Sequence, residues 1–303
     1  MTTITSTHTP RVMQPEPGRI YKFFHSGRND SPFRRLWINA LLILACVVAI
    51  YPVLRVITVS LRPGNQLLST SLDLIPKDAS LQNYARLFTE KAFLVWVWNS
   101  IIITITVSII GVALAATSAY AFSRWKFRMR TGGLVFLLTT QMIPAGMLLI
   151  PIYLLLARLQ LTNTYRGLTL AYIVSSIPFS IWILKGYYDT IPVDLEEAAM
   201  IDGATRLGTF TRIVLPLSTP ALAIVFLFNF MTAWQEFPVA YRVVTNENMW
   251  TWTLGIKAMQ GQFQTEWGMY AAASVLIMFP VVLLFLYSAK WLVSGLTLGS
   301  VKG

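Results

Sequence analysis

A chain of 303 residues in which 55% are hydrophobic and only 12% are charged, with a positive mean hydropathy, cannot fold as a soluble domain without leaving large apolar areas in water. The formal charge of +11 is scattered between apolar runs rather than gathered in one patch, which argues against a nucleic-acid partner and for a protein facing anionic lipid. A single cysteine, Cys46, excludes an internal disulfide and a cysteine metal cluster. What remains is an all-α integral membrane protein.

Residues 1–35 are rich in Thr, Ser, Pro and Gly and carry six basic residues, which predicts a mobile basic tail. No short apolar core followed by a small-residue cleavage site lies near its start, so no cleaved signal peptide is expected. Residues 36–54 hold no charge and are long enough to cross a hydrocarbon layer of roughly 30 Å. After a polar outer segment, 62–92, further spans are predicted at 93–123, 132–156, 168–188, 219–239 and 268–292. The third contains Gln141, Pro144 and Pro151, and the fourth Ser175, Ser176 and Pro178. Prolines free backbone carbonyls that need other partners, so these helices are expected to bend and to face either a water-filled path or a neighbouring helix. Gln141 is thus a candidate pathway residue. Glu236, in AWQEFP, is a second: a carboxylate near membrane depth is costly unless paired or wetted, and it either lines the route or snorkels at the outer boundary.

Between the fourth and fifth spans lies a polar island, IPVDLEEAAMIDGATRLGTFTRIVLP, from Ile191 to Pro216. Pro192 disfavours helix before it, Asp194 and Glu197 stand at capping-box spacing, and Gly203 permits the positive backbone angle that ends one helix and re-aims the next. Thr205 is placed to cap a second helix with Leu207, Phe210, Ile213 and Val214 towards one side, closed by Pro216. A helix-turn-helix knuckle is predicted. The same residues also fit an amphipathic loop lying on the membrane surface.

Six spans leave both termini on one side. Placing them in the cytoplasm gives fifteen lysines and arginines inside and eight outside, with Arg55 on neither side, so the positive-inside rule puts the knuckle in the cytoplasm. No GxxxxGK[ST] loop, HExxH motif or nucleophile elbow is present, and both histidines fall in the basic tail, so no enzyme chemistry and no bound cofactor is expected. Two transport classes fit these features. One is a permease driven mechanically through the knuckle by a separate ATPase; the other is a self-contained secondary carrier with Glu236 as its ion-linked group.

Glu197, Ala198, Ala199 and Gly203, followed by Ile213, Leu215 and Pro216, match the cytoplasmic EAA loop of ABC importer permeases. With NSIIITITVS, AYAFSRW, TTQMIPAGMLLIPIYLL and the C-terminal AKWLVSGLTLGSVKG, the chain from residue 36 onward resembles the MalG-type permeases of maltose/maltodextrin ABC importers. The resemblance implies a six-helix type I permease fold, 36–294, with a coupling loop at 190–216 and outer loops at 62–92 and 241–267. It implies a larger homologous permease, two ATP-binding subunits that carry ATP and Mg, and an extracytoplasmic sugar-binding protein as partners. It places Glu196, Glu197, Ala198, Ala199, Asp202 and Gly203 in an ATPase groove. The C-terminal tail, 295–303, with Gly299, Ser300 and Lys302, would reach between ATPase subunits or else be plain disorder. Gln260, Gly261, Gln262 and Phe263 would form an outer tip that probes the binding protein's sugar cleft, amides offering hydrogen bonds and the ring a stacking face, unless that loop makes no contact. A related importer for trehalose or another oligosaccharide would share this mechanism with a different sugar.

Overall fold

The computed structural model describes residues 32–63, 75–261 and 265–298, with side chains through residue 291. Among the described residues every regular element is a helix. By packing, the chain divides into Met1–Arg55 and Val56–Gly303. The described residues of the first part belong to one apolar helix, α1 (Pro32–Ser60). Its Leu41, Ile43 and Val48 are each more than half exposed, the surface a lipid-facing span presents.

The second part holds α2 (Gln82–Glu90), α3 (Phe93–Arg124), α4 (Arg130–Thr140), α5 (Ala145–Arg158) and α6 (Tyr165–Tyr188). It continues with α7 (Asp194–Ile201), α8 (Arg206–Leu217), α9 (Thr219–Gln235), α10 (Pro238–Val243), α11 (Trp252–Ala258) and α12 (Trp267–Leu298). Helices α1, α3, α6 and α12 are each long and apolar enough to cross a membrane. The pairs α4–α5, bent by 101°, and α8–α9, bent by 78°, bring the number of spans among the described residues to as many as six.

The third span, expected over 132–156 as a helix bent by its prolines, is interrupted by that 101° bend. Pro144 disfavours helix at Ile143, and the chain first tightens, with the Gln141 and Met142 amides donating to the Leu138 and Thr139 carbonyls at 3.1 and 3.0 Å. The fifth, expected over 219–239, stops at Gln235; Glu236 is extended (ψ 126°) and Pro238 opens the separate helix α10.

Helix α3 is the spine of this part, packing along α6 and α9. Ser108, Gly111, Ala115 and Ala119 recur at helical spacing on one buried face, and such small residues let backbones approach where the surrounding lipid offers no hydrophobic drive. Where α3, α6 and α9 cross, Asn229 is fully buried and its Oδ1 accepts the Ser180 hydroxyl at 2.9 Å. A Cβ on Gly111 would stand 2.8 Å from the Asn229 amide nitrogen, so the crossing has no spare room. Towards the α3 C-terminus a second cluster of Ala115, Ala119, Leu184, Tyr188, Phe210 and Val214 packs α6 and α8 against the spine.

Gly111→Val should push α9 off this crossing and cost about 1–3 kcal/mol, as overpacking does elsewhere. Thermal unfolding of the detergent-solubilised protein should show a lowered midpoint; an unchanged one would mean that the helices can separate there without loss.

Candidate functional site

The knuckle is built by two turns of backbone chemistry. Helix α7 ends in a Schellman arrangement: the Gly203 amide donates to the Met200 carbonyl at 3.1 Å, the Ala204 amide to that of Ala199 at 2.9 Å, and Gly203 has φ +90°. Thr205 Oγ1 then accepts from the Gly208 amide at 3.1 Å and starts α8. The predicted capping box at the other end does not form. Asp194 is already helical, because the Val193 carbonyl accepts from the Glu196 and Glu197 amides at 2.9 and 3.0 Å, and no side chain closes the cap. Asp194, Glu196 and Glu197 instead crowd the first turn, where the helix dipole favours negative charge.

Glu196 turns inward. Its Oε1 meets Arg124 Nε at 2.5 Å and its Oε2 accepts the Tyr120 hydroxyl at 2.7 Å, with the two charged side chains only 10% and 5% exposed. Of the six residues assigned to a partner groove, Glu196 is thus the one turned onto this chain's own α3. Arg124 also donates to the Ile191 carbonyl at 3.0 Å and to Ser123 Oγ at 3.1 Å. Ser123 in turn donates to Asp189 Oδ1 at 2.6 Å, and Lys185 pairs with the same carboxylate. Burial works against ionisation of Asp189, but its bonds to Lys185 and Ser123 outweigh that and hold the carboxyl below its usual range. One connected network therefore ties the ends of α3 and α6 to α7. The Tyr120 ring, 4.7 Å from that of Phe210, carries the tie into α8.

The far side of the knuckle is apolar and open. Ile201 is 85% and Leu207 70% exposed, flanked by Val193, Leu195 and Met200, with Glu197, Ala198 and Asp202 also exposed and Ala199 half-buried. Leu207 was expected beside Phe210 and Val214; the buried face of α8 starts only at Thr209, where the helix reaches Tyr120, and leaves Leu207 outside. The tip of the knuckle thus presents exposed aliphatic side chains on the face opposite the Arg124–Glu196 tie.

The remaining predicted residues lie apart from this site. Gln141 sits exposed in the break between α4 and α5, donating to the Ser175 carbonyl at 3.1 Å. Glu236 caps α10, its oxygens accepting the Val239 and Ala240 amides at 2.8 and 3.1 Å. Gln260 bridges Lys257 Nζ at 2.8 Å and the Tyr270 hydroxyl at 3.3 Å, and Gly261 is exposed. Gln262, Phe263, Gly299, Ser300 and Lys302 lie outside the described residues. The sequence reading missed Asn99, whose buried amide donates to the Asn248 and Trp250 carbonyls at 2.9 and 3.0 Å and accepts the Tyr165 hydroxyl at 2.8 Å, fastening the segment before α11 to α3 and α6. An asparagine opening an apolar run is the only signal it leaves in the sequence. Among the described residues no group of His, Cys, Asp and Glu side chains could hold a metal ion.

Arg124→Met leaves the Glu196 carboxylate buried without its counter-ion, a change that costs about 3–5 kcal/mol for a buried pair. Limited proteolysis should then cut near the knuckle while the helical circular-dichroism signal of the bundle persists; wild-type resistance would show that the network does not hold α7.

Residues 108–297, from the middle of α3 through the knuckle to α12, match the family described as binding-protein-dependent transport system inner membrane component. The chain is 38% identical over 290 residues to the maltose/maltodextrin transport system permease protein MalG of Escherichia coli strain K12, covering 89% of this chain and 96% of that protein. It is 37% identical over 282 residues to the MalG of Yersinia pestis, covering 86% and 92%. With the diacetylchitobiose uptake system permease protein DasC of Streptomyces coelicolor it shares 32% over 273 residues, covering 90% and 99%. In fold it resembles a chain from the crystal structure of a bacterial ABC transporter involved in the import of the acidic polysaccharide alginate, with a TM-score of 0.74 at 22% identity, covering 91% of this chain and 99% of that one. A match over more than half the chain, with relatives above 30% identity along most of its length, settles its kinship: the chain belongs to the family of inner membrane components of binding-protein-dependent transport systems.

Proposed function

We propose that this chain is the permease half of an ATP-driven importer of maltodextrin-type oligosaccharides, moved by a separate ATPase subunit that receives the knuckle. The observation that carries this reading is the pairing of an exposed aliphatic tip, Ile201 and Leu207 around Gly203, with a buried ionic tie from the same helix to α3. A side chain pushed at the tip moves α7, and Glu196 and Tyr120 pass that displacement to α3, the helix along which α6 and α9 pack. The lysine and arginine bias supports a cytoplasmic knuckle and cytoplasmic termini. ATP and Mg are assigned to the partner ATPase, and this chain to a non-catalytic role.

The other expected partners follow from the same reading: a second, homologous permease completing the path, two ATPase subunits, and an extracytoplasmic binding protein that delivers the sugar. Residues 260–263 are assigned to the binding protein's cleft and residues 299–302 to the space between ATPase subunits. Gln141, on the break in the third span, is assigned to the path. Maltodextrin is favoured by the names of the relatives at 36–38% identity; the 32% identity to a diacetylchitobiose permease keeps other oligosaccharides as a second reading. A self-contained carrier is disfavoured because both oxygens of Glu236 already serve backbone amides.

In proteoliposomes with its cognate partners, uptake of labelled maltodextrin should cease when the ATPase subunit is omitted and should not respond to an imposed ion gradient. Uptake driven by the gradient alone would support the carrier instead. Gly203→Pro removes the amide that bonds Met200 and demands a negative φ where the turn has +90°, so it should abolish sugar-stimulated ATP hydrolysis while the chain still inserts. No atom lies within 4 Å of a Cβ built there, so Gly203→Ala tests the backbone angle alone and should retain partial coupling. Full coupling in the proline variant would remove the turn from the mechanism.

A further inference from the structure

The link from α3 to α4 reads Trp125, Lys126, Phe127, Arg128, Met129, Arg130, apolar and basic in strict alternation. Trp125, Phe127 and Met129 are all exposed, and exposed aromatic rings beside cations are the composition of a segment lying at headgroup depth. Next to this link, between the end of α3 and the first turn of α7, is a cleft of about 350 Å³. Its walls carry Lys126, Arg130 and Arg206 beside the buried Glu196 and its half-buried partners Tyr120 and Arg124.

Charge in the cleft is unbalanced. Four cations line it against two carboxylates, and Glu196 is already consumed by Arg124 and Tyr120, leaving the exposed Glu197. Asp189, the next carboxylate along the network, is held by Lys185 and Ser123 and also feels the charge of Arg130. Among the described residues Arg130 donates only to the Ser123 carbonyl, at 3.3 Å, and neither Lys126 nor Arg206 makes an ion pair. Three cations from three elements, α8, α4 and the link before it, thus converge on one recess with surplus positive charge. Guanidinium pairs suit phosphate oxygens through their planar fork.

We infer that this cleft holds the phosphate of an anionic phospholipid of the cytoplasmic leaflet, with Lys126, Arg130 and Arg206 as its counter-charges and Trp125 and Phe127 at the acyl boundary. The inference rests on the cytoplasmic placement of the knuckle proposed above. A headgroup seated there bridges the α3–α4 link to α8 across the Arg124–Glu196 tie, so the lipid becomes part of what fixes the knuckle to the bundle.

The test uses the membrane complex purified through this chain, reconstituted in bilayers of phosphatidylglycerol and phosphatidylcholine in equal amounts and then extracted into detergent, with native mass spectrometry counting the lipids that stay bound. Wild-type complex should retain phosphatidylglycerol over phosphatidylcholine. Each of Lys126→Gln, Arg130→Gln and Arg206→Gln should lower that retention about fivefold, the effect of roughly one headgroup charge contact. Arg128→Gln removes the same charge from the same link but outside the cleft, and should leave retention unchanged. Equal retention of the two lipids by wild-type complex, loss in Arg128→Gln as large as in Lys126→Gln, or displacement of the lipid by inorganic phosphate held in its place would each overturn the inference. The wild-type comparison decides even where a variant fails to assemble. Because the readout needs no ATP hydrolysis, a failure of ATPase coupling leaves it standing, and intact coupling without lipid selectivity overturns it alone.

Discussion

An arginine and a carboxylate removed from water must satisfy one another or stay unpaired at great cost, and Arg124 and Glu196 meet under that compulsion from positions 72 residues apart. Such a pair adds little net stability compared with a well-packed apolar pair of equal size, but it fixes one geometry among many. Here that geometry sets the first turn of α7 against the last turn of α3. Tyr120 shares the carboxylate and packs its tilted ring against Phe210, while Arg124 reaches the Ile191 carbonyl, so the entry to α7 and the start of α8 are located by the same two side chains. The outward presentation of Ile201 and Leu207 follows from this, because a helix pinned by one face offers the other.

Long spans were plain from hydropathy alone, since α3, α6 and α12 are nearly uniform apolar runs whose length the bilayer dictates. The bend at Gly203 was equally readable: few residues take a positive φ cheaply, and glycine between two helical patterns announces one. Tertiary partners were not. Nothing local separates Glu196 from Glu197, yet one is buried on Arg124 and the other exposed; only the phase of α7 against α3 decides, and that phase is a property of the packed bundle. The capping box failed for a related reason, since Pro192 and Val193 already turn the chain and the helix begins one residue early. The break at Gln141–Pro144 was foreshadowed by its proline, but its 101° angle depends on what the two halves pack against.

Polar residues inside the bundle divide into two kinds. Asn229, Ser180 and Asn99 join helices or fasten a loop, and their hydrogen bonds are internal to the chain. The basic residues at the knuckle end exceed what the nearby carboxylates can neutralise and leave a surplus for something outside the chain. The proposed ATPase would receive the exposed aliphatic tip of the knuckle. The surplus charge beside it points to the membrane surface as a second contact.

The central claim is that α7 moves with α3 as one body when the transporter cycles. Spin labels at Thr117, exposed on α3, and at Asp194, exposed on the first turn of α7, would report this directly in a complex whose native Cys46 has been replaced. Pulsed electron–electron resonance should give the same distance in nucleotide-free and ATP-bound states, with a narrow distribution in both. A distance that shifts or broadens on ATP binding would show the knuckle sliding on the bundle, and the ionic tie would then be no part of the drive.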